Sequence, residues 1–194
     1  MIPSPDNQAG AAAPAAFRDP LPLEDLPSQT SAHYLHSTLR ERIVEHVFVG
    51  EALRRLWQRG ITGVEVLRSE FDAGGYDLVM SYKAITRHIQ FKTVTLGGRA
   101  PRVTANLKLM EKPSGCIIWI VVSPNLDLLS YLWFGNAPDV PLPDIRGFPV
   151  ARHAKGTAQG KKNERPMHRV IAKGQFEKVA TLDLILTRLF GPLD

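Results

Sequence analysis

The sequence is poor in cysteine and has no long apolar run. Among its 194 residues there is one cysteine, Cys116, which excludes an internal disulfide framework and a zinc site with two or more cysteine ligands. The longest uninterrupted apolar stretch runs from Cys116 to Val122, far short of the roughly 20 residues that a membrane helix needs. The N-terminus has neither the basic region nor the continuous apolar region of a secretory signal. These absences favour a cytoplasmic protein that has no membrane partner.

The remaining composition is that of a globular protein with a local basic excess. Hydrophobic residues make up 44% of the chain and charged residues 22%, and the formal net charge is +5. Residues 151–178 contain eight lysines and arginines against two glutamates, so this segment accounts for the whole excess. It is interpreted either as a solvated surface loop or as a flexible arm that contacts nucleic-acid phosphates. The candidate nucleic-acid-binding residues are Arg152, Lys155, Lys161, Lys162, Arg165 and Arg169.

Domain organisation follows from a change in composition near residue 30. Residues 1–30 contain six prolines and almost no apolar periodicity, so they are predicted to form a disordered arm. Residues 31–194 are predicted to form a single domain, since this length suits one hydrophobic core.

Periodicity and turn signals predict an α/β fold with a central mixed β-sheet flanked by helices. A proline-free stretch favours a helix, residues with β-branched or continuous apolar character favour strands, and glycine and proline clusters separate them. The predicted helices are residues 31–59, 103–112 and 180–190, and the predicted strands are residues 64–71, 76–82, 86–95, 116–122 and 128–134. Residues 135–149 are predicted to form an extended connection.

Two neighbouring strands carry the residues with the clearest chemical pattern. Gln90 and Lys92 are two positions apart, so on a strand their side chains share one face. Asp77 opens the preceding strand, and a hairpin can place it beside that pair. Two oxygen ligands and a lysine suit hydrolysis of a phosphodiester assisted by Mg²⁺ or Mn²⁺. The alternative is that Asp77 is a turn residue and that Gln90 and Lys92 lie on the solvated face of a sheet.

Glu45 is an unexpected acid on the apolar face of the first predicted helix. At 100° per residue it falls among apolar positions, whereas Glu51 lies in the middle of the polar arc. A buried carboxylate needs a partner. That partner is either a metal shared with Asp77 or an arginine or lysine that faces the core.

In this combination the chain resembles the PD-(D/E)XK superfamily, the restriction-endonuclease-like nucleases. The family pattern is a helix with an acid, a strand, a strand opened by Asp, and a strand with Glu or Gln two residues before Lys, then a helix and a strand. It is matched over about residues 40–123, with Gln90 in place of the more common acid. The resemblance implies that Asp77 and Glu45 bind the metal, that the Phe91 carbonyl adds a ligand, and that Lys92 is the catalytic lysine.

A DNA endonuclease is therefore the expected function, with duplex DNA as the substrate and a homodimer as a plausible assembly. Defence, restriction, repair and mobile-element roles all suit a chain of this size. Two alternatives stay open at this point. One is a catalytically silent DNA-binding module of the same fold, which the glutamine at position 90 favours. The other is a module that binds a protein partner through its basic segment.

Overall fold

The structure, a computed structural model, describes residues 36–68, 74–153 and 163–193. The predicted arm at residues 1–30 lies outside these ranges, and so do Lys155, Lys161 and Lys162. The described chain contains two α-helices and nine strands. The helices are α1 (Ser37–Gln58) and α2 (Leu182–Phe190), and the strands are β1 (Val64–Arg68), β2 (Leu78–Tyr82), β3 (Ile85–Thr95), β4 (Arg102–Asn106), β5 (Gly115–Val122), β6 (Leu128–Gly135), β7 (Val150–Arg152), β8 (Glu164–Ala172) and β9 (Glu177–Val179).

Six of the strands form the central sheet, in the order β1-β2-β3-β5-β6-β9. The pairing of β3 with β5 is parallel, and the other neighbours are antiparallel. β3 and β5 are therefore the central, parallel pair of a mixed sheet. β5 is buried over nearly its whole length, which explains why its sequence shows no polar alternation.

The helices cover one face of this sheet. Along α1, Val44, Phe48, Ala52 and Leu56 recur every four residues and are all buried. They share a hydrophobic cluster with Ile185, Leu186, Leu189 and Phe190 of α2 and with inward residues of the sheet. The predicted α/β class with a central mixed sheet flanked by helices is confirmed.

The opposite face is covered by a second sheet of three strands, in the order β4-β8-β7. Ala105 of β4 and Ile171 of β8 join a separate cluster with Ile117 and Trp119 of β5. The helix predicted at residues 103–112 is wrong. Arg102–Asn106 is a strand because it pairs with β8, and only Leu107–Glu111 turns, as a 3₁₀ helix. The partner strand lies some sixty residues further along the chain, where local periodicity cannot reveal it.

Parts of the basic segment are strands, which the sequence analysis did not predict: Val150–Arg152, Glu164–Ala172 and Glu177–Val179. Residues 154–162 lie outside the described ranges. No helix within the described ranges is long and apolar enough to cross a membrane.

One buried arginine joins the layers at the end of β3. Arg87 is fully buried and donates hydrogen bonds to the Ser114 hydroxyl at 2.6 Å and to the Ala137 carbonyl at 3.0 Å. Its other terminal nitrogen donates to the carbonyls of Asn136 at 2.9 Å and Arg188 at 3.1 Å. The guanidinium thereby fixes the 136–137 connection and the end of α2 to the central sheet.

Candidate active site and basic cavity

Side chains on β3 alternate between the two faces of the central sheet. Ile89 belongs to the cluster beneath the helices, and the Phe91 ring lies 5.0 Å from the ring of Phe48 on α1. The residues between and beyond them point to the other face, where Val94 joins the cluster beneath the three-stranded sheet. Gln90 and Lys92 therefore share one face, as their spacing predicts, and that face is turned away from the helices.

Asp77 lies beside this pair, one residue before β2. Its backbone N–H donates to the Ile89 carbonyl at 2.9 Å, and its carboxylate accepts a hydrogen bond from the Phe91 N–H at 2.7 Å. That N–H belongs to the peptide bond between Gln90 and Phe91. The carboxylate of Asp77 is thus held against β3 at the level of Gln90, which is the juxtaposition expected from the hairpin.

A tight turn positions Asp77. Gly75 has a φ of +73°, and a Cβ at this position would lie 2.7 Å from the Cβ of Asn106. Both the left-handed backbone and the close approach require glycine. The turn therefore brings the chain against the end of β4 immediately before Asp77 enters the central sheet.

Gln90 is buried, with only 8% of its surface exposed, and its side-chain oxygen Oε1 has no hydrogen-bond partner in the described part of the protein. A buried polar atom left without a partner costs about 1–3 kcal/mol. An amide oxygen and a neighbouring carboxylate are suitable ligands for Mg²⁺ or Mn²⁺. The chemistry of these groups fits a divalent cation, and Asp77, Gln90 and the Phe91 carbonyl are the groups that would hold it.

His88 is a neighbour of the site that the sequence analysis did not single out. It lies on the same face of β3, two positions before Gln90, and its Nδ1 is also buried without a hydrogen-bond partner within the described ranges. Its ring packs edge-on against Tyr76 at 5.0 Å. Burial, and secondly the positive charge of Lys112, lowers the pKa of His88 below its ordinary value of 6.5. Its surroundings therefore favour the neutral imidazole over the imidazolium.

Glu45 has the partner that its burial requires, and that partner is an arginine. Its carboxylate accepts hydrogen bonds from Arg68 of β1 and, at 3.2 Å, from Arg42. The ion pair places Glu45 on the helix-covered face, whereas Gln90 and Lys92 point to the other face. This is the salt-bridge alternative that the sequence left open, and the structure does not bring Glu45 together with Gln90 and Lys92. Glu51, by contrast, is exposed and pairs with Arg54.

Lys92 of the central sheet lines a cavity together with residues in and beside the three-stranded sheet. The cavity has a volume of about 710 Å³ and is lined by ten residues, none of them acidic: Lys92, Arg102, Val103, Thr104, Pro149, Val150, Ala151, Arg152, His153 and Val170. Three permanent cations therefore face one cavity from three different strands. We call it the basic cavity.

Of the three predicted nucleic-acid-binding residues within the described ranges, one lines this cavity and two contact other parts of the protein. Arg152 lines the cavity and makes a 3.7 Å ion pair with the exposed Glu164. Arg165 contacts the His168 ring at 2.8 Å. Arg169 donates to the backbone carbonyls of Arg146 at 3.1 Å and Pro166 at 2.6 Å, so it supports the chain around β8. Among these three, Arg152 is the one that meets Lys92 in the cavity.

Arg102 is the cavity residue that the sequence analysis missed. It begins β4, a strand that local sequence signals did not reveal, so its position next to Lys92 depends on long-range pairing. The described residues contain no group of three or more His, Cys, Asp or Glu side chains that could hold a metal. No family model and no curated protein matches the chain.

Proposed function

We propose that this protein is a metal-dependent phosphodiesterase that hydrolyses DNA, with a PD-(D/E)XK-type site at Asp77, Gln90 and Lys92. The observation that supports this most strongly is the buried oxygen of Gln90, which has no hydrogen-bond partner among the described residues and lies beside the Asp77 carboxylate. It is supported further by Lys92, which lies two residues along the same face and lines the basic cavity. One local arrangement thus combines cation ligands, a lysine and a place for a phosphate.

The proposed roles follow from the chemistry of each group. Asp77 and Gln90, together with the Phe91 carbonyl, would hold Mg²⁺ or Mn²⁺, which polarises a phosphate oxygen and acidifies water when bound. Lys92 orients the attacking water or neutralises the charge that develops on the phosphate. Arg102 and Arg152 hold the flanking backbone through charge-assisted hydrogen bonds. Glu45 keeps its arginine partners and supports the fold from the helix side.

The resemblance favours duplex DNA as substrate and a homodimer that presents two sites to two strands. A cytoplasmic location is proposed because the one cysteine is a free, fully buried thiol, as suits a reducing compartment. Binding to a protein partner stays a prediction that rests only on the basic charge of residues 151–178.

A silent DNA-binding module of the same fold is the second candidate. It is favoured by the engagement of Glu45 with Arg42 and Arg68, because the helix acid is then unavailable to a metal. Gln90 also brings no charge to the site, so among the described residues Asp77 alone would neutralise the cation. Such a module would bind DNA without turning it over.

A cleavage assay separates the two candidates. Plasmid, linear duplex, single-stranded DNA and RNA are incubated with Mg²⁺, Mn²⁺ or EDTA and with wild type, Lys92→Ala or Lys108→Ala, the last a matched exposed lysine outside the site. We expect metal-dependent cleavage that falls at least about 100-fold in Lys92→Ala and is unchanged in Lys108→Ala. Absence of cleavage by wild type, with DNA binding retained, would contradict the enzyme and favour the silent module.

A further inference from the structure

The cations of the basic cavity are spread along it. In the three-stranded sheet, Arg102 of β4 lies opposite Ala172 of β8, whereas Arg152 of β7 lies opposite Glu164. Ala172 and Glu164 are the two ends of β8, which would be at most about 26 Å apart in a regular strand. Between Val150 and Ala151 the partner on β8 jumps from Arg169 to Arg165, so four residue steps of β8 correspond to one step of β7, and about 16 Å along the strands separates the backbones of the two arginines.

This spacing favours a linear polyanion over a small anion. An inorganic phosphate carries a single charged group and engages fewer of these cations at once than a chain of phosphates does. A nucleic-acid strand carries one charge per about 3.4 Å of helix axis, so it can engage both ends and Lys92 on the central sheet at the same time. The ion pair of Arg152 with Glu164 does not prevent this, because both side chains are more than 60% exposed and such pairs are weak.

The lining of the cavity favours an unpaired strand over a duplex. Val103, Val150 and Val170 add apolar surface to the lining. A volume of about 710 Å³ is typical of pockets that take up a ligand of a few hundred daltons, so it can take up a nucleotide of an unpaired strand, whereas the bases of a double helix stay paired and stacked outside it. Stacking in a duplex hides the faces of the bases, whereas an unpaired strand can place a base or sugar against apolar side chains.

We propose that the basic cavity binds an unpaired stretch of nucleic acid, with Arg102 and Arg152 as phosphate-binding residues at its two ends. This inference rests on the proposed function for the identity of the polyanion, and it deepens it by naming the form of the substrate. It differs from the duplex substrate that the family resemblance implies. A frayed end, an overhang or a single strand would then be the substrate that reaches Lys92.

The test measures binding in EDTA, where cleavage does not interfere. A labelled mixed-sequence DNA oligonucleotide, single-stranded or annealed to its complement, is titrated by fluorescence anisotropy with the full chain at several salt concentrations. The variants are Arg102→Ala, Arg152→Ala and Arg102→Lys, and the matched control is Arg54→Ala, an exposed arginine on the helix layer. Circular dichroism verifies that each variant is folded.

We expect the single strand to bind at least about 10-fold more tightly than the duplex. Arg102→Ala and Arg152→Ala should each weaken binding at least about 5-fold and reduce the slope of log K against log salt by about 0.7, the value for one lost contact to a single strand. Arg102→Lys should retain most of the affinity, and Arg54→Ala should change it by less than about 2-fold. Inorganic phosphate should compete only at concentrations that act through ionic strength.

Tighter binding of the duplex, or an effect of Arg102→Ala no larger than that of Arg54→Ala, would overturn the inference. Competition by inorganic phosphate at low concentration would overturn it too, in favour of a small-anion site. The outcome is separate from that of the cleavage assay. If binding depends on Arg102 but no DNA is cleaved, the proposed nuclease activity is contradicted and the binding role of the cavity is supported. If cleavage depends on Lys92 but Arg102→Ala binds normally, the nuclease is supported and the binding role of the cavity is contradicted.

Discussion

Gln90 decides how strongly the proposed site can hold a cation. A neutral amide supplies an oxygen without a charge, so within the described ranges the carboxylate placed against β3 at this level is that of Asp77. The buried Oε1 has no protein partner within the described ranges, and its environment is therefore completed only when something else binds. Metal affinity should respond directly to the charge at this position.

Gln90→Glu is expected to raise the affinity for Mg²⁺ at least about 10-fold, since it adds a negative charge to the ligand set at nearly constant shape. Isothermal titration with Mg²⁺ measures this, with Gln58→Glu at the exposed end of α1 as the matched control. Equal affinity in wild type and Gln90→Glu would show that the cation does not bind at this position.

Glu45 illustrates how one residue type can serve either a site or the fold. Its carboxylate is buried and held by Arg42 and Arg68. Glu45→Gln should therefore lower the free energy of unfolding by roughly 1–3 kcal/mol, because two arginines lose their charged acceptor. The measurement is urea unfolding in EDTA and in Mg²⁺, with the exposed Glu51→Gln as control, expected within about 0.5 kcal/mol of wild type.

Comparing unfolding in EDTA with unfolding in Mg²⁺ distinguishes a structural role of Glu45 from a role as a metal ligand. A structural carboxylate gives the same loss with and without Mg²⁺. If Glu45→Gln instead removed the stabilisation that Mg²⁺ confers on wild type, Glu45 would be a metal ligand and its pair with Arg68 would have to open when the cation binds.

At the scale of elements, the connection before β2 is the part of the fold on which the site depends. Gly75 and Gly60 both have a φ near +74°, but only Gly75 is crowded, with Asn106 at 2.7 Å from a hypothetical Cβ. Nothing lies within 4 Å of the corresponding position at Gly60. The two glycines therefore form a natural pair of test and control.

Gly60→Ala should cost about 1 kcal/mol of stability, the strain of a left-handed alanine. Gly75→Ala should cost about 2–3 kcal/mol and, in addition, weaken Mg²⁺ binding, since relief of the clash shifts the chain two residues before Asp77. Thermal unfolding and metal titration of both variants measure the two effects. Equal behaviour of the two variants would mean that the turn does not position the carboxylate.

The elements that sequence could predict are those whose signals are local. The period of four residues along α1 and the apolar run of β5 identify a helix and a buried strand, and the period of two on β3 places Gln90 and Lys92 on one face. The sequence analysis did not predict the strands β4, β7 and β8, because each forms by pairing with residues that are distant in the sequence. The same reason hid Arg102 from the candidate site and the arginine partner of Glu45 on β1.

At the scale of the whole molecule, two ionisable groups are enclosed in the core beneath the helices. Burial raises the pKa of the Cys116 thiol to about 12, although the adjacent Arg87 opposes the shift. Burial, and secondly the negative charge of Glu51, raises the pKa of Tyr131 to about 12. Both groups belong to the cluster that joins α1 and α2 to the central sheet, so their ionisation bears on the global stability.

This arrangement predicts that the fold loses stability in alkali. In the unfolded chain Cys116 and Tyr131 ionise near their ordinary values of 9.0 and 10.0, whereas the folded protein keeps both protons up to about pH 12. Above pH 9 the unfolded state therefore binds fewer protons than the folded state, and the free energy of unfolding falls by as much as about 1.4 kcal/mol per pH unit for each group. The stabilising contribution of the two protonated groups is fully present below pH 9 and is lost as the pH rises towards 12.

Urea unfolding at pH values from about 8 to about 11 measures this slope. Cys116→Ala should remove the part that begins near pH 9, and Tyr131→Phe the part that begins near pH 10, although each variant also loses some packing at every pH. The double variant should therefore be less stable than wild type at neutral pH but less sensitive to alkali. A wild-type stability that does not change over this range, or a double variant with the full slope, would show that these two groups do not link the core to pH.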